Sequence, residues 1–295
     1  MKAYQEKKNR FVAIKLMIVT SSDVHEDQIL EYQKRGLIES QYVLENYDQL
    51  YDKDNQFQFI ISKFCEKGNL FDYFLQNKNS LTNDIILNFC TQIIQGVIAI
   101  HDKNIVHSDL KPQNILINED YQIKICDLGL SQFLKEQKSE TFSKGGSYCY
   151  RAPEQDKGVL IKQCDVFGIG CIMCFLSNIQ ITILIATDIK NEKFPPIENS
   201  TFPELTSLAY QMMKKEPKKR INLNDCLEKL KQIQNNMTKN STKHELTQES
   251  EVKCESQFKD GKSDVKRSQL IQIKNFVKSR RRRYLKQTVK QEVYL

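Results

Sequence analysis

Three short polar motifs in a fixed order constrain this chain more than any other feature of its sequence. The octet HSDLKPQN occupies residues 107–114, the triplet DLG residues 127–129 and the triplet APE residues 152–154. Each triplet alone is common. The octet followed at this short interval by a D-x-G triplet is a combination that rarely occurs by chance. The three motifs therefore have to be interpreted together.

In this order and at these intervals the motifs resemble the signature set of the eukaryotic protein kinases. The resemblance extends over roughly residues 2–234. It implies an α+β fold with two lobes, a small N-lobe rich in β-strands and a larger, mainly helical C-lobe. Lys111 within the octet is more typical of Ser/Thr kinases than of Tyr kinases. The implied activity is transfer of the γ-phosphoryl group of ATP, with Mg²⁺, to Ser or Thr hydroxyls of protein substrates.

The resemblance assigns four of these side chains to the reaction. Phosphoryl transfer needs little covalent chemistry from the protein, but it needs an aligned hydroxyl and neutralisation of the spreading negative charge. Asp109 would accept or orient the proton of that hydroxyl, and Lys111 would contact the transferred phosphate. Asn114 and Asp127 would supply hard oxygen ligands to Mg²⁺ on the nucleotide phosphates.

The distribution of apolar residues predicts strands near the start of the chain and mostly helices beyond it. Runs rich in β-branched and aromatic residues predict strands, and apolar residues repeating every 3.6 positions predict amphipathic helices. The predicted strands are 11–18, 57–61, 115–117 and 122–126, and the predicted helices are 21–38 and 83–101. This asymmetry indicates two unequal lobes.

The segment VAIK at residues 12–15 resembles the strand whose lysine grips the α- and β-phosphates of ATP. By itself a lysine at the end of an apolar strand is more often a solvated surface charge, and only the downstream motifs favour Lys15 as a nucleotide ligand. Its partner should be a glutamate on the following helix. The family spacing selects Glu31, nine residues before Ser40, whereas Glu26 competes because two apolar residues follow it at helical spacing.

The segment FIISKFCEKGNL at residues 59–70 resembles the strand and hinge that cradle adenine in the family. Ungapped placement puts Ser62 at the gatekeeper position and the backbones of Lys63 and Cys65 at the positions that read adenine. The apolar walls above and below the base would then be Ala13 and Leu116. The alternative is an ordinary edge strand that runs into a turn.

The glycine-rich phosphate loop of the family is missing, since the first glycine of the chain is Gly36, well after Lys15. We therefore expect a truncated small lobe. Without the backbone N–H donors and the cover of that loop, slow or absent catalysis is an open alternative. The competing hypothesis is a pseudokinase that acts as a nucleotide-binding or scaffolding module.

A second departure from the family pattern is Ser108, which stands where an arginine often pairs with a phosphate on the activation segment. No cation is present at that position to receive such a phosphate. The hydroxyls of Ser139, Thr141 and Ser143 are therefore expected to be solvated loop groups rather than an obligatory switch.

Residues 166–187 form an uncharged run that is long enough to span a bilayer. Polar residues near the middle of the run argue against a span, and a helix buried in a globular core is also apolar on every side. We therefore expect no transmembrane segment. The resemblance also implies that Glu154 and Arg220 form a buried, structural ion pair in the large lobe.

The basic charge of the chain belongs to its C-terminal part. Residues 235–295 carry 15 Lys and Arg against 7 Asp and Glu, a net charge of +8 within a total of +7. The predicted organisation is a kinase-like domain 1–234, with N-lobe 1–62, hinge 63–68 and C-lobe 69–234, and then a polar linker and basic tail 235–295. The basic, partly amphipathic segment 268–293 could bind an acidic partner, a nuclear import receptor or anionic lipid, and a third hypothesis makes this tail the functional part.

Nine cysteines are scattered along the chain without a regular framework, and no apolar leader follows Met1. This pattern favours a reducing, intracellular compartment. We expect the cytoplasm, with the nucleus as an alternative because of the basic tail.

Overall fold

The computed structural model describes residues 1–18, 36–52, 57–128, 132–133 and 147–239. The helix predicted over 21–38 falls almost entirely outside these ranges. The chain divides into one compact unit, Met1–Asn236, and a second unit, Met237–Leu295. Nearly all described residues belong to the first unit, which carries the three motifs.

An antiparallel sheet of four strands forms the small lobe, and it includes the two strands predicted near residues 11–18 and 57–61. The strands are β1 (Lys2–Gln5), β2 (Arg10–Ile18), β3 (Asn46–Tyr51) and β4 (Phe57–Lys63), in the spatial order β1-β2-β4-β3. Ala13 on β2 lies opposite Ser62 on β4, and Lys15 lies opposite Ile60. Since opposite residues share one face of a sheet, these four side chains lie on the same face.

The remainder of the unit is mainly helical. Its helices are α1 (Leu70–Asn77), α2 (Asn83–Asp102), α3 (Lys162–Leu176), α4 (Ile183–Lys190), α5 (Pro203–Met212) and a helix that begins at residue 223 and continues to the end of the unit. Short 3-10 helices cover Glu6–Lys8, Pro112–Asn114, Tyr148–Tyr150, Gln155–Lys157, Ile197–Asn199 and Pro217–Lys219. Helix α1 begins where the Asn69 side chain accepts a hydrogen bond from the Asp72 N–H at 2.9 Å, and Thr82 and Thr182 cap α2 and α4 in the same way.

Helix α3 forms the centre of the large lobe. All thirteen residues from Cys164 to Leu176 are buried, which explains why the helix is apolar on every side. A Cβ atom on Gly170 would lie 2.6 Å from Met213 Cγ and 3.0 Å from the Ala209 carbonyl oxygen, so glycine is required for α3 and α5 to pack this closely. The uncharged run 166–187 is divided between α3 and α4 and does not form one continuous helix.

Four short strands complete the large lobe: β5 (Ile105–Val106), β6 (Ile115–Ile117), β7 (Ile123–Ile125) and β8 (Gln132–Phe133). Strands β6 and β7 form an antiparallel hairpin, and β5 pairs with β8. The isoleucines at both ends of β6 and β7 are fully buried and anchor the hairpin in the core. With a small antiparallel sheet and a larger helical part, the structure confirms the two-lobed α+β organisation.

Within the described part of the chain, one helix, α2, is long and apolar enough to cross a membrane by length and composition alone. Eleven of its twenty residues are buried inside the large lobe, and Phe89, Ile94 and Val97 have no exposed surface. This burial is typical of the core helix of a globular domain, which passes the same composition test.

Candidate active site

A cavity of about 380 Å³ has walls from both the small sheet and the β6–β7 hairpin. It is lined by six of the residues predicted from sequence: Ala13, Lys15, Ser62, Asn114, Leu116 and Asp127. The other lining residues, which the sequence did not single out, are Met1, Ile14, Leu44, Asn46, Ile60, Ile125, Cys126 and Leu128. A mostly apolar cavity with a few convergent polar groups is typical of a small-molecule site.

A direct ion pair joins the two sides of this cavity. The Lys15 ammonium donates to Oδ1 of Asp127 at 2.8 Å, and both side chains are 45% exposed. Burial raises the pKa of the Asp127 carboxyl, but the charge and hydrogen bond of Lys15, assisted by His107 and Lys111, outweigh burial and lower it. Asp127 is therefore ionised at neutral pH, as a ligand of a cation has to be.

Several predicted residues lie outside the described part of the chain. These are the two candidate partners of Lys15, Glu31 and Glu26, and the activation-segment hydroxyls of Ser139, Thr141 and Ser143. The roles suggested for them stay predictions.

The β6–β7 hairpin brings Asn114 and Asp127 to the same cavity although the whole hairpin separates them in sequence. Asn114 precedes β6 and Cys126 follows β7, and the Cys126 N–H donates to the Asn114 carbonyl at 2.9 Å. The Asn114 Nδ2 donates to the Asp109 carbonyl at 2.9 Å and to Asp109 Oδ2 at 3.1 Å. Because its amide nitrogen is used in this way, Oδ1 of Asn114 is the atom left to act as a ligand.

The side chains of Asn114 and Asp127 fit Mg²⁺. Within the described ranges no group of three or more His, Cys, Asp or Glu side chains could hold a metal by itself. Oδ1 of Asn114 and the ionised carboxylate of Asp127 are both hard oxygen donors on one cavity wall. Mg²⁺ is commonly held by only one or two protein oxygens, with waters and substrate phosphates supplying the rest. The donor set is therefore suited to Mg²⁺ that arrives with a nucleotide.

The carboxylate of Asp109 is held on both oxygens. The Ser147 N–H donates to Oδ1 at 2.8 Å, while the Lys111 ammonium donates to Oδ2 at 2.7 Å. The same ammonium donates to Ser147 Oγ at 2.9 Å, which closes a ring of three residues. Asp109 is 7% exposed, and neither Asp109 nor Lys111 lines the cavity, but Asn114, which does, donates to Asp109.

Ser147 contacts the predicted catalytic groups, although the sequence analysis did not single it out. It lies seven residues before Glu154. Its local sequence carries no pattern that would have identified it. In the structure its backbone and hydroxyl both contact the Asp109–Lys111 pair, so it orients the predicted catalytic groups.

Asp165, in the first turn of α3, anchors the loop that carries the octet. Its Oδ2 accepts a hydrogen bond from the His107 N–H and its Oδ1 accepts one from the Ser108 N–H, both at 2.9 Å. His101 Nε2 lies 2.8 Å from Oδ2, and Asp165 itself is 1% exposed. Ser108 adopts a φ of +66°, in the left-handed region that is uncommon for residues other than glycine. The buried carboxylate stabilises this conformation of the loop.

The predicted gatekeeper and hinge residues lie at the end of β4. Ser62 is 6% exposed and lies between Ala13 on β2 and Asn46 on β3. The Lys63 N–H donates to the Glu45 carbonyl at 2.9 Å, and the Cys65 carbonyl accepts from the Gly68 N–H at 3.3 Å. Lys63 and Cys65 do not line the cavity, so their contacts with adenine stay predictions.

If Ser62 is the gatekeeper, its small side chain leaves space behind the adenine. ATP analogues with a bulky N6 group should bind the wild-type protein. Replacing Ser62 by Phe should weaken their binding by at least about tenfold through steric overlap, and change ATP affinity little because ATP uses the hinge backbone. The measurement is a pair of dissociation constants, with Ser62→Ala as the matched control. Equal effects of Ser62→Phe on both ligands would show that the hinge register is wrong.

Comparison with known proteins agrees with this geometry. The family model described as the protein kinase domain matches residues 1–230. The chain is 31% identical over 206 residues to the serine/threonine-protein kinase Nek8 of Danio rerio, which is 67% of this chain. It is 31% identical over 187 residues, 60% of this chain, to the interferon-induced, double-stranded RNA-activated protein kinase of Rattus norvegicus. It is 26% identical over 211 residues, 65% of this chain, to the serine/threonine-protein kinase cds1 of Schizosaccharomyces pombe.

The chain spans less than half the length of these curated relatives. The matched parts are 29% of the Danio protein, 36% of the Rattus protein and 44% of the Schizosaccharomyces protein. The similarity therefore concerns a domain and not the whole length of these proteins. The match to the family model covers the part of the chain that holds the cavity and the Asp109 cluster.

Proposed function

The chain belongs to the protein kinase family, and on this premise we propose that it transfers the γ-phosphoryl group of ATP to Ser or Thr hydroxyls of proteins. The observation that carries the proposal is the fixed Asp109 carboxylate, which lies next to a cavity with two oxygen donors for Mg²⁺ and a lysine. The names of the relatives support the Ser/Thr class, as does Lys111 in the octet.

The polar end of the cavity suits the phosphates of a nucleotide. Lys15 supplies a positive charge from β2, while Asn114 and Asp127 face it from the hairpin. Mg²⁺, when bound, would neutralise phosphate charge and fix the phosphates for in-line transfer. The apolar part between Ala13 and Leu116 would then take the adenine.

Asp109 would orient the acceptor hydroxyl and take its proton. The Ser147 N–H and the Lys111 ammonium hold the two carboxylate oxygens, so the side chain is already oriented before a substrate binds. Lys111 also provides the positive charge that the transferred phosphoryl group needs as its bond to the leaving oxygen breaks. Ser147 fixes that ammonium through its hydroxyl.

The direct test is transfer of labelled γ-phosphate from ATP to a general protein substrate by the purified full chain. We expect transfer that requires Mg²⁺ and is lost when the metal is chelated. Binding of Mg²⁺-ATP by calorimetry without any transfer would support the alternative, a pseudokinase that binds nucleotides or serves as a scaffold. Absence of both binding and transfer would contradict the kinase and the nucleotide-binding module, and would leave the scaffold.

For the basic tail 268–293, which lies outside the described residues, the support is its sequence alone. Its clustered lysines and arginines favour an acidic partner, anionic lipid or an import receptor. Cytoplasmic or nuclear localisation belongs to the same proposal, and imaging of the full chain and of a chain lacking 268–293 would test it.

A further inference from the structure

A buried lysine on the hairpin has no role in the site described so far. Lys124 lies in the middle of β7 and its side chain is 2% exposed. It pairs with Leu116 of β6, so both side chains project from the same face of the hairpin. That face carries the floor of the cavity, because Leu116 lines it. A lysine that is removed from water in this way needs strong partners.

The partners of Lys124 belong to the small lobe. Its ammonium donates to the Gln41 carbonyl at 2.5 Å and lies 3.4 Å from Glu45 Oε1. Both residues are in loop 41–45, which leads directly into β3. One side chain therefore connects the floor of the cavity to the loop that enters the sheet above it.

Backbone contacts attach the same loop to the hairpin. The Leu44 N–H donates to the Ile125 carbonyl, and the Ile125 N–H donates to the Tyr42 carbonyl, both at 2.8 Å. A Cβ atom on Gly96 of α2 would lie 2.7 Å from Ile125 Cδ1 and 3.1 Å from Tyr42 Cβ, so glycine lets α2 pack against both. Loop 41–45 is thus fixed to the large lobe although the strand that follows it belongs to the small lobe.

Of the two side-chain contacts, the bond to Gln41 is the stronger. The Glu45 carboxylate is 45% exposed and is also 3.8 Å from the Lys63 ammonium, and exposed ion pairs contribute little. The bond to the Gln41 carbonyl is short and comes from an ammonium group that is almost fully removed from water, and without it that oxygen would lose its charged donor. The loop therefore depends on Lys124 more than on Glu45.

We propose that Lys124 is a positioning residue for the nucleotide: it holds loop 41–45 on the hairpin and so fixes the spacing between Lys15 and Asp127. This inference rests on the proposed function. Strands β3, β4 and β2 are consecutive neighbours in one sheet, so displacement of the loop is passed on to Lys15. Leu44 and Asn46, beside the anchored residues, line the cavity directly.

The two ends of a nucleotide respond differently to such a displacement. Phosphates and Mg²⁺ depend on charged groups at fixed distances, whereas adenine between apolar walls tolerates small shifts. Loss of Lys124 should therefore weaken binding of Mg²⁺-ATP more than binding of adenosine. A role in stability alone would not change the ratio of the two affinities.

The experiment measures both affinities by calorimetry on the full chain. Lys124→Met keeps the length of the side chain and removes its charge. We expect it to weaken Mg²⁺-ATP about tenfold, the scale of one hydrogen bond to a charged group, and adenosine by less than about threefold. Glu45→Gln, which leaves the Gln41 bond in place, and Lys103→Met, which removes an exposed lysine, should both stay within about threefold of wild type for each ligand.

Three results would overturn the inference. One is an unchanged ratio of ATP to adenosine affinity in Lys124→Met, including equal weakening of both ligands. Another is a Glu45→Gln variant as weak as Lys124→Met, which would mean that the exposed ion pair carries the effect. A wild-type protein that binds neither ligand would overturn the proposed function and this inference with it. If Lys124→Met does not fold, Lys124→Gln, which is too short to span to Gln41, should give the same change in the ratio.

Discussion

Replacing Asp109 by Asn is expected to lower the rate of phosphoryl transfer by about 10²–10⁴-fold, the range of a positioned general base. The asparagine keeps the shape of the side chain and one oxygen that can accept the Ser147 N–H, but it cannot take a proton. Because Asp109 does not line the cavity, ATP affinity should change little. Transfer of labelled phosphate and calorimetric binding of Mg²⁺-ATP, measured on the same preparation, check the two parts separately.

Asp120 provides the matched control, since it is an exposed aspartate in the turn of the β6–β7 hairpin. Asp120→Asn removes the same charge from the same lobe and should leave both rate and affinity at the wild-type level. Equal transfer by wild type and Asp109→Asn would contradict the assignment of Asp109 and favour the pseudokinase. A fall in ATP affinity as large as the fall in rate would indicate a general disturbance of the loop.

The site residues predicted from sequence are those that the resemblance of short motifs assigned, and the structure brings six of them to one cavity. Asn114 and Asp127, which the resemblance assigned to Mg²⁺, flank the short β6–β7 hairpin and both line the cavity. Lys15 and Ser62 lie on neighbouring strands with clear apolar patterns, and both line the cavity. In each case a single element or pair of elements places the side chain.

The residues that sequence reasoning missed are those that reach the site from distant parts of the chain. Ser147 contacts Asp109 across 38 residues, Asp165 holds the His107 backbone across 58 residues and Lys124 reaches Gln41 across 83. None of them differs in its local pattern from an ordinary loop, helix or strand residue. Only the packing of the lobes decides that a serine, an aspartate or a lysine at these positions has a partner.

The ion pair of Glu154 and Arg220, which the sequence did predict, gives the largest expected effect on stability. Arg220 Nη1 and Nη2 donate to the two Glu154 oxygens at 2.5 and 2.7 Å, in the paired geometry that favours arginine. The arginine side chain has no exposed surface and that of the glutamate is 10% exposed. Arg220 also donates to the carbonyls of Lys214 and Gln163, each at 2.7 Å.

Arg220→Met should lower the free energy of unfolding of the domain by about 3–5 kcal/mol, because it leaves the Glu154 carboxylate buried without its partner. Two carbonyls also lose their donor. Glu154→Gln should cost less, since Arg220 keeps its bonds to those carbonyls and can still donate to the glutamine oxygen. Urea unfolding of wild type and both variants, followed by circular dichroism, gives the ranking.

Lys219→Met is the control that shows whether burial of the Glu154–Arg220 pair, and not its charge alone, determines its effect on the free energy of unfolding. Lys219 is next to Arg220 in sequence and lies 3.1 Å from Glu216, but the two side chains of that pair are 67% and 64% exposed. Its removal should change the free energy of unfolding by no more than about 1 kcal/mol. If Arg220→Met were no more destabilising than Lys219→Met, the Glu154 carboxylate would have to be reached by water in solution. The segment 147–154, which orients Asp109 through Ser147, would then be held in place by something other than this pair.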